Sequence, residues 1–262
     1  MLQSAVLSQP VPIMRAKART ATVTPIASQT KSAVACSSCC LKGVCLPCEL
    51  GRAEMERFVE ITAAKRRVAR GASLYHSGDN FDSLYAVHSG AFKTVGASRE
   101  GDEKITGFHL AGELLGLEAI STGHHAYSAV ALEDSEVCVI PFAQLEKMAM
   151  SVPALQHQLL RTLSSDISRD QGLMQLLGSM TAEQRLAAFL LSVSRRHQRL
   201  GFSASRFVLR MTREEIGNYL GLTLETVSRI MSRFQREGLI AVQQRDIELK
   251  DADRLREMVG HW

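Results

Sequence analysis

Six cysteines are the residues of this chain best able to do chemistry, and five of them fall in one stretch, CSSCCLKGVCLPC, residues 36–48. Thiolates bind metals, form disulfides and enter redox reactions. The stretch holds C-x2-C twice, as Cys36/Cys39 and Cys45/Cys48, with Cys40 beside Cys39. Cys138 lies far downstream in the strand-like run EVCVIPF. Alone, such a cysteine reads as a small buried hydrophobe. Cys36, Cys39, Cys45 and Cys48 suit tetrahedral zinc, although only five residues separate the two pairs, shorter than zinc-ribbon spacing. Ser, His and Asp are scattered without a nucleophile elbow or a phosphate-cradling loop, so no enzyme is expected.

A second capable set lies near the C-terminus, in MTREEIGNYLGLTLETVSRIMSRFQREGLI, residues 211–240. Thr212 and Glu215 form a capping box for a short helix carrying Ile216 and Leu220. Gly221 supplies a turn. Thr223 caps a second helix, Leu224 to about Glu237, with Val227, Ile230, Met231 and Phe234 inward and Gly238 at its end. LIAVQQRDIELK then reads as a small hairpin. Helix, glycine turn, helix and wing make a winged helix-turn-helix. Glu225, Ser228, Arg229, Ser232 and Arg233 recur at turn spacing on the outer face of the second helix. A carboxylate accepts from cytosine N4, and a guanidinium binds guanine O6 and N7 together. Glu225, Ser228 and Arg229 are therefore the expected base readers of double-stranded DNA. Arg213, at the first helix's start, and Arg233, a turn beyond Arg229, are better placed for phosphates.

Other elements must position these two sets. Eight glycines between Gly71 and Gly116 separate short apolar or alternating runs such as SLYAVHSG and KITGFHL. That punctuation predicts an antiparallel roll or barrel. From Pro153 a proline-free segment of about 25 residues carries Leu155, Leu159, Leu163, Ile167, Met174 and Leu177 at helical spacing. This seam packs on the roll or forms a homodimer interface. The expected class is α+β: a tail at 1–35, a cysteine segment at 36–50, a β-roll at 51–150, a long dimerisation helix at 151–179 and a winged helix-turn-helix at 180–262.

At 262 residues and 45% hydrophobic, the chain is long enough for two cored domains. No run approaches the roughly 20 apolar residues of a membrane span, so no membrane is expected and the predicted location is cytoplasmic. Residues 1–48 lack any acid, which mimics a transit peptide but reads better as a disordered basic tail. Residues 51–179 carry net −4, whereas residues 180–262 carry net +4, as a phosphate-binding end requires.

At this point the chain resembles the Crp/FNR family of transcription regulators, in its oxygen-sensing FNR branch. The strings that carry the resemblance are SLYAVHSGAFK, GDEKITGFHLAGELLG, ALEDSEVCVIPF, AEQRLAAFLLSVSRR and MTREEIGNYLGLTLETVSR, and the similarity spans about residues 36–260. The resemblance implies a β-roll of the cyclic-nucleotide-binding type, a dimerisation helix and a winged helix-turn-helix. It also implies an oxygen-labile [4Fe–4S] cluster on Cys36, Cys39, Cys45 and Cys138, four thiolates being the usual set for such a cluster. Zinc and an iron–sulfur electron carrier are the alternatives, and a disulfide framework is the weakest, cytosol being reducing.

Further expectations come from the same likeness. Crp-type pockets hold a cyclic nucleotide's phosphate with a Gly-Glu turn and a downstream arginine. Gly112 and Glu113 are kept, but His124, His125, Ala126 and Tyr127 stand where that arginine belongs. No cyclic nucleotide is expected, and the two histidines are expected in an exposed loop. Dimerisation is assigned to Leu159, Leu163, Ile167, Asp170 and Met174, with Asp170 either opposing its own copy across the seam or pointing to solvent at its rim. RNA polymerase is the expected second partner, through the charged turn with Arg99, Glu100, Asp102 and Glu103. The implied operator is a palindrome of TTGAT-type half-sites.

Overall fold

The glycine-punctuated runs form the roll because each is only long enough for one strand between turns. The computed structural model describes residues 36–41, 43–62, 64–97 and 103–260. Helix α1 (Arg52–Ile61) leads into eight strands: β1 (Ala64–Val68), β2 (Ser73–Tyr75), β3 (Ser83–Ser89), β4 (Ala91–Ala97), β5 (Glu103–Leu110), β6 (Leu114–Leu115), β7 (Ser128–Ala131) and β8 (Ser135–Pro141). They make two antiparallel four-stranded sheets, ordered β1-β8-β3-β6 and β2-β7-β4-β5. Gly90 turns the chain from one sheet to the other at φ +85°; a Cβ there would lie 2.9 Å from the Ser135 backbone. No other residue fits that position.

Helix α2 (Phe142–Ser151) closes the roll, and Pro153 opens α3 (Pro153–Ser179) at a position where a missing N–H costs nothing. Then come α4 (Ala182–Arg199), β9 (Arg206–Val208), α5 (Arg213–Leu220), α6 (Leu224–Arg236), β10 (Ile240–Gln243), β11 (Asp246–Leu249) and α7 (Ala252–Val259). The predicted caps are in place. Thr212 Oγ1 accepts from the Glu215 N–H at 3.1 Å while the Glu215 carboxylate accepts from the Thr212 N–H at 2.8 Å. Gly221 ends α5 in the left-handed conformation, and Thr223 caps α6. The wing is a three-stranded sheet, β10-β11-β9, and β9 was not foreseen because its pairing with β11 is non-local.

Helix α3 departs from the single expected seam. Leu155 is fully buried, and Leu159 and Leu163 are partly buried against the roll core with α1, α2 and the cysteine segment. The exposed apolar stripe is Leu160, Ile167 and Met174, at 57, 58 and 71% exposure. Leu159 therefore belongs to the roll-facing side, and Leu160 takes its place on the outer one. Two stripes share one helix, which spacing alone does not separate. Asp170 is exposed in step with them, whereas Leu163 packs on the roll core and Leu177 on the core that holds α4 and α6.

Candidate metal centre and nucleic-acid interface

The cysteine segment is held in place by its leucines. Leu41 and Leu46 are buried, and Leu46 joins Cys36, Met55, Phe58 and Ile140 in one apolar cluster. Tight turns space the thiols: the Cys39 N–H donates to the Cys36 carbonyl at 3.3 Å, and the Cys45 N–H to the Leu41 carbonyl at 2.9 Å. Cys138 enters from β8, a strand paired on both sides, opposite Lys65 of β1 and Ala86 of β3.

A cavity of about 400 Å³ opens between segment and roll, and Cys36, Cys39, Cys45 and Cys138 all line it. Cys40 also borders it but is exposed, and Cys48 is not among its walls. All six cysteines are free thiols. Burial, reinforced by Cys138, pushes the Cys45 thiol up to about 12. Burial and then Cys36 push Cys138 to about 12. Thiols crowded in this way resist joint ionisation unless cationic iron compensates. Among the described residues, no three His, Cys, Asp or Glu side chains are grouped tightly enough for a single ion. Four thiolates are the usual donor set of a [4Fe–4S] cluster. The donor set and its cavity suit that group.

Three polar residues that the sequence reading missed stand beside these sulfurs. His88 Nδ1 is 3.8 Å from Cys39 Sγ, His88 Nε2 is 3.7 Å from Glu136 Oε2, and Lys65 Nζ is 3.0 Å from the same carboxylate oxygen. Burial, and then Lys65, hold His88 below its ordinary value. Glu136 precedes Cys138 by two on the same strand face, which was a readable signal; Lys65 and His88 needed the pairing register.

Helix α6 packs Val227, Ile230, Met231 and Phe234 inward and leaves Glu225 and Arg229 exposed. Ser228 is half-buried and accepts from Arg213 Nη1 at 3.4 Å. Arg233 is engaged by Glu183 and, at 2.7 Å through Nε, by Glu237. Arg245, which the sequence reading passed over, stands in the β10–β11 turn beside Gln244 at φ +57°. Of the charged turn assigned to RNA polymerase, Arg99, Glu100 and Asp102 lie outside the described residues, and Glu103 begins β5.

The stretch where a phosphate-binding arginine was sought has a different use. His124 is exposed as expected, but His125 is buried, a correction to the exposed-loop expectation. Its ring stacks on Tyr75 with centroids 3.6 Å apart, and its Nδ1 is 3.2 Å from Glu118 Oε1. An aromatic slot of Tyr75 and Phe81 takes the ring inward, and nothing in the local pattern announces that slot. Glu113 is occupied too, by Arg196 Nε at 2.7 Å.

A roll joined by a long helix to a winged helix-turn-helix with an open reading face is the architecture of a ligand- or redox-controlled transcription regulator. Residues 65–151 match the cyclic nucleotide-binding domain family and residues 184–258 the Crp-like helix-turn-helix domain family. The chain is 48% identical over 225 residues to the transcriptional regulatory protein btr of Bordetella pertussis, covering 86% of this chain and 93% of that protein. It is 44% identical over 229 residues to the fumarate and nitrate reduction regulatory protein of Escherichia coli, covering 87% and 92%. Among solved structures, FixK2 from Bradyrhizobium japonicum is similar at a TM-score of 0.70 and 31% identity, over 76% of this chain and 98% of that one. The chain belongs to the Crp/FNR family, in its FNR branch. It is a DNA-binding transcription regulator and not an enzyme. Among the described residues, no helix is long and apolar enough to cross a membrane.

Proposed function

We propose that this regulator responds to oxygen through a [4Fe–4S] cluster held by Cys36, Cys39, Cys45 and Cys138, and binds palindromic TTGAT-type operators as a homodimer when oxygen is scarce. The observation that carries the reading is the shared cavity: of the five cysteines along it Cys40 is exposed and the other four are these, and Cys48 is left out. Bound there, the cluster supplies iron that oxygen oxidises.

The chain's own residues couple that site to DNA. Three ligands come from a short segment and the fourth from a central strand, so ligation ties the segment to the roll. Glu49 at the segment's end meets Arg161 of α3 at 2.6 Å, which places the segment against the dimer helix. Two copies of α3 joined along Leu160, Ile167 and Met174 set two α6 helices on one DNA face, about one turn apart. Glu225, Ser228 and Arg229 read bases there, and Arg213 and Arg233 hold phosphates once Arg233 exchanges carboxylates for phosphate. RNA polymerase is the second partner, met through the charged turn at 98–104, and the protein works in the cytoplasm beside its DNA. No cyclic nucleotide acts as effector, since Glu113 is committed to Arg196 and no arginine follows where its phosphate partner belongs.

Metal analysis of anaerobically prepared protein tests the reading, with an expected content of about four irons per chain and thiolate-to-iron absorption that bleaches in air. Serine at position 36, 39, 45 or 138 is expected to abolish the absorption, whereas Cys40→Ser and Cys48→Ser are expected to keep it. Stoichiometric zinc without iron would refute the assignment.

A further inference from the structure

The cysteine segment and the DNA-binding half of its own chain meet at one glycine of the roll. Val44, next to Cys45, packs on Gly112 in the turn between β5 and β6, and Leu200 at the end of α4 packs on the same glycine. A Cβ on Gly112 would lie 2.9 Å from Val44 Cγ2 and 3.5 Å from Leu200 Cδ2, and the residue sits at φ +85°. Space and conformation both exclude a side chain. A small cavity of about 40 Å³ at this junction is bounded by Val44, Gly112, Glu113, Arg196 and Leu200 among others.

The turn that carries Gly112 is fixed from two sides. Behind it, the Gly112 N–H donates to the Val87 carbonyl at 2.8 Å, and the Val87 N–H to the Glu113 carbonyl at 2.9 Å. Val87 and its neighbour His88 also line the cysteine cavity. In front, Arg196 of α4 donates through Nε to Glu113 at 2.7 Å and through Nη2 to the Phe108 carbonyl at 2.6 Å. The Leu110 N–H donates to the same carboxylate at 3.0 Å. Val44 itself sits in a closed turn that it shares with Cys45, since both N–H groups donate to the Leu41 carbonyl, at 3.0 and 2.9 Å.

We propose that Val44 is a positioning residue: the state of the cysteine segment sets the seat of α4, and with it the reading helix, inside one chain and independently of dimerisation. This rests on the ligand assignment above, since holding Cys45 to the roll is what holds Val44 in its notch. Helix α4 shares a continuous apolar core with α6, from Leu186 and Leu190 to Val227 and Phe234. A close-packed interior transmits a shift at Leu200 as a shift of the whole unit.

The test uses the full chain loaded anaerobically with iron, as wild type, Val44→Ala, Leu200→Ala and the double variant. Iron per chain, sedimentation and affinity for a duplex bearing two TTGAT half-sites are measured, with hydrogen exchange at residues 197–203 before and after loading. Each single variant is expected to stay dimeric and to lose about five- to tenfold in affinity, the lower range for coupling between sites. The double variant is expected to lose no more than either single one, because both open the same junction at Gly112. Wild-type protection at 197–203 is expected to rise on loading, and the rise to vanish in the variants. Leu200 stands away from the cysteine cavity, so Leu200→Ala decides the matter even where Val44→Ala disturbs iron uptake. Wild-type affinity in Leu200→Ala, additive losses, or exchange at 197–203 indifferent to iron would each overturn the proposal. Wild type that takes up no iron would bring down the ligand assignment as well.

Discussion

His109 is buried and Glu113 half-buried near α3 and α4, yet one is neutral and the other charged. Burial alone pushes a carboxyl up, but the Arg196 guanidinium in contact with it holds Glu113 down to about 2. His109 gains no such partner. Burial, with Arg169 adding to it, pushes its value from 6.5 down to about 3, and its Nδ1 has no hydrogen-bond partner among the described residues. A depressed folded value means that the unfolded chain binds the proton more tightly. The His109 contribution is therefore fully present above pH 6.5 and is lost as pH falls towards 3. The loss has a limiting slope of about 1.4 kcal/mol per pH unit. Denaturant titrations between pH 7 and 5 are expected to show stability falling towards this slope in wild type and more gently in His109→Gln; identical profiles would remove His109 as the cause. At the DNA face, Arg229→Ala is expected to cost about 1–3 kcal/mol at a cognate operator and to relax preference at the guanine. Arg213→Ala is expected instead to weaken all sequences alike and to lower the salt slope by about one. Competition binding with single-base operator variants separates the two, and an Arg229 variant with full guanine discrimination would mean that another residue reads that base.

At the scale of elements, legibility followed the range of the interaction. The Thr212/Glu215 box, the Gly221 turn and the Thr223 cap act within a few residues, and all three were readable. Strand β9 and the burial of His125 depend on partners distant in sequence, and neither was. Helix α3 lies between these cases. Its helicity was plain, but Leu159 and Leu160 are neighbours facing different environments, and only the packed roll shows which is which. The outer stripe carries Asp170, exposed and in step with Ile167 and Met174. Paired with a second copy, two carboxylates meet on an otherwise apolar seam, where like charges leave water without compensation. Asp170→Ala is expected to raise the dimer association constant in air at least about tenfold, some 1.4 kcal/mol. Sedimentation of the aerobic proteins checks this, and an unchanged monomer would show that Asp170 sits at the rim. Leu160→Ala is expected to act in the opposite direction.

Across the whole molecule, the roll and the DNA-binding domain are not separate bodies. One apolar cluster runs from Ile105, Phe108 and Leu110 of the roll through Phe189 of α4 to Ile216 and Leu220 of α5. Phe108 stands 5.1 Å from the Tyr219 ring and 6.0 Å from Phe189. No motif announced this docking, because its two faces are far apart in the chain and each alone looks like ordinary domain surface. Its polar rim is specific. Strand β5 is a sheet edge, and Asn218 of α5 pairs with that edge as a neighbouring strand would. Its Oδ1 accepts from the Ile105 N–H at 2.7 Å, and its Nδ2 donates to the Glu103 carbonyl at 2.9 Å. Lys93 meets Glu215 of the same helix at 2.9 Å. Asn218→Ala leaves the part-buried Ile105 N–H without its acceptor, at a cost of about 1–3 kcal/mol, while the exposed Glu103 carbonyl is free to take water instead. The Ile105 amide is expected to exchange with solvent about tenfold to a hundredfold faster in that variant, while amides of α6 keep their protection. Equal acceleration throughout α5 and α6 would mean that Asn218 supports the helix-turn-helix itself, whereas an unchanged Ile105 amide would mean that the apolar core alone holds the two domains together.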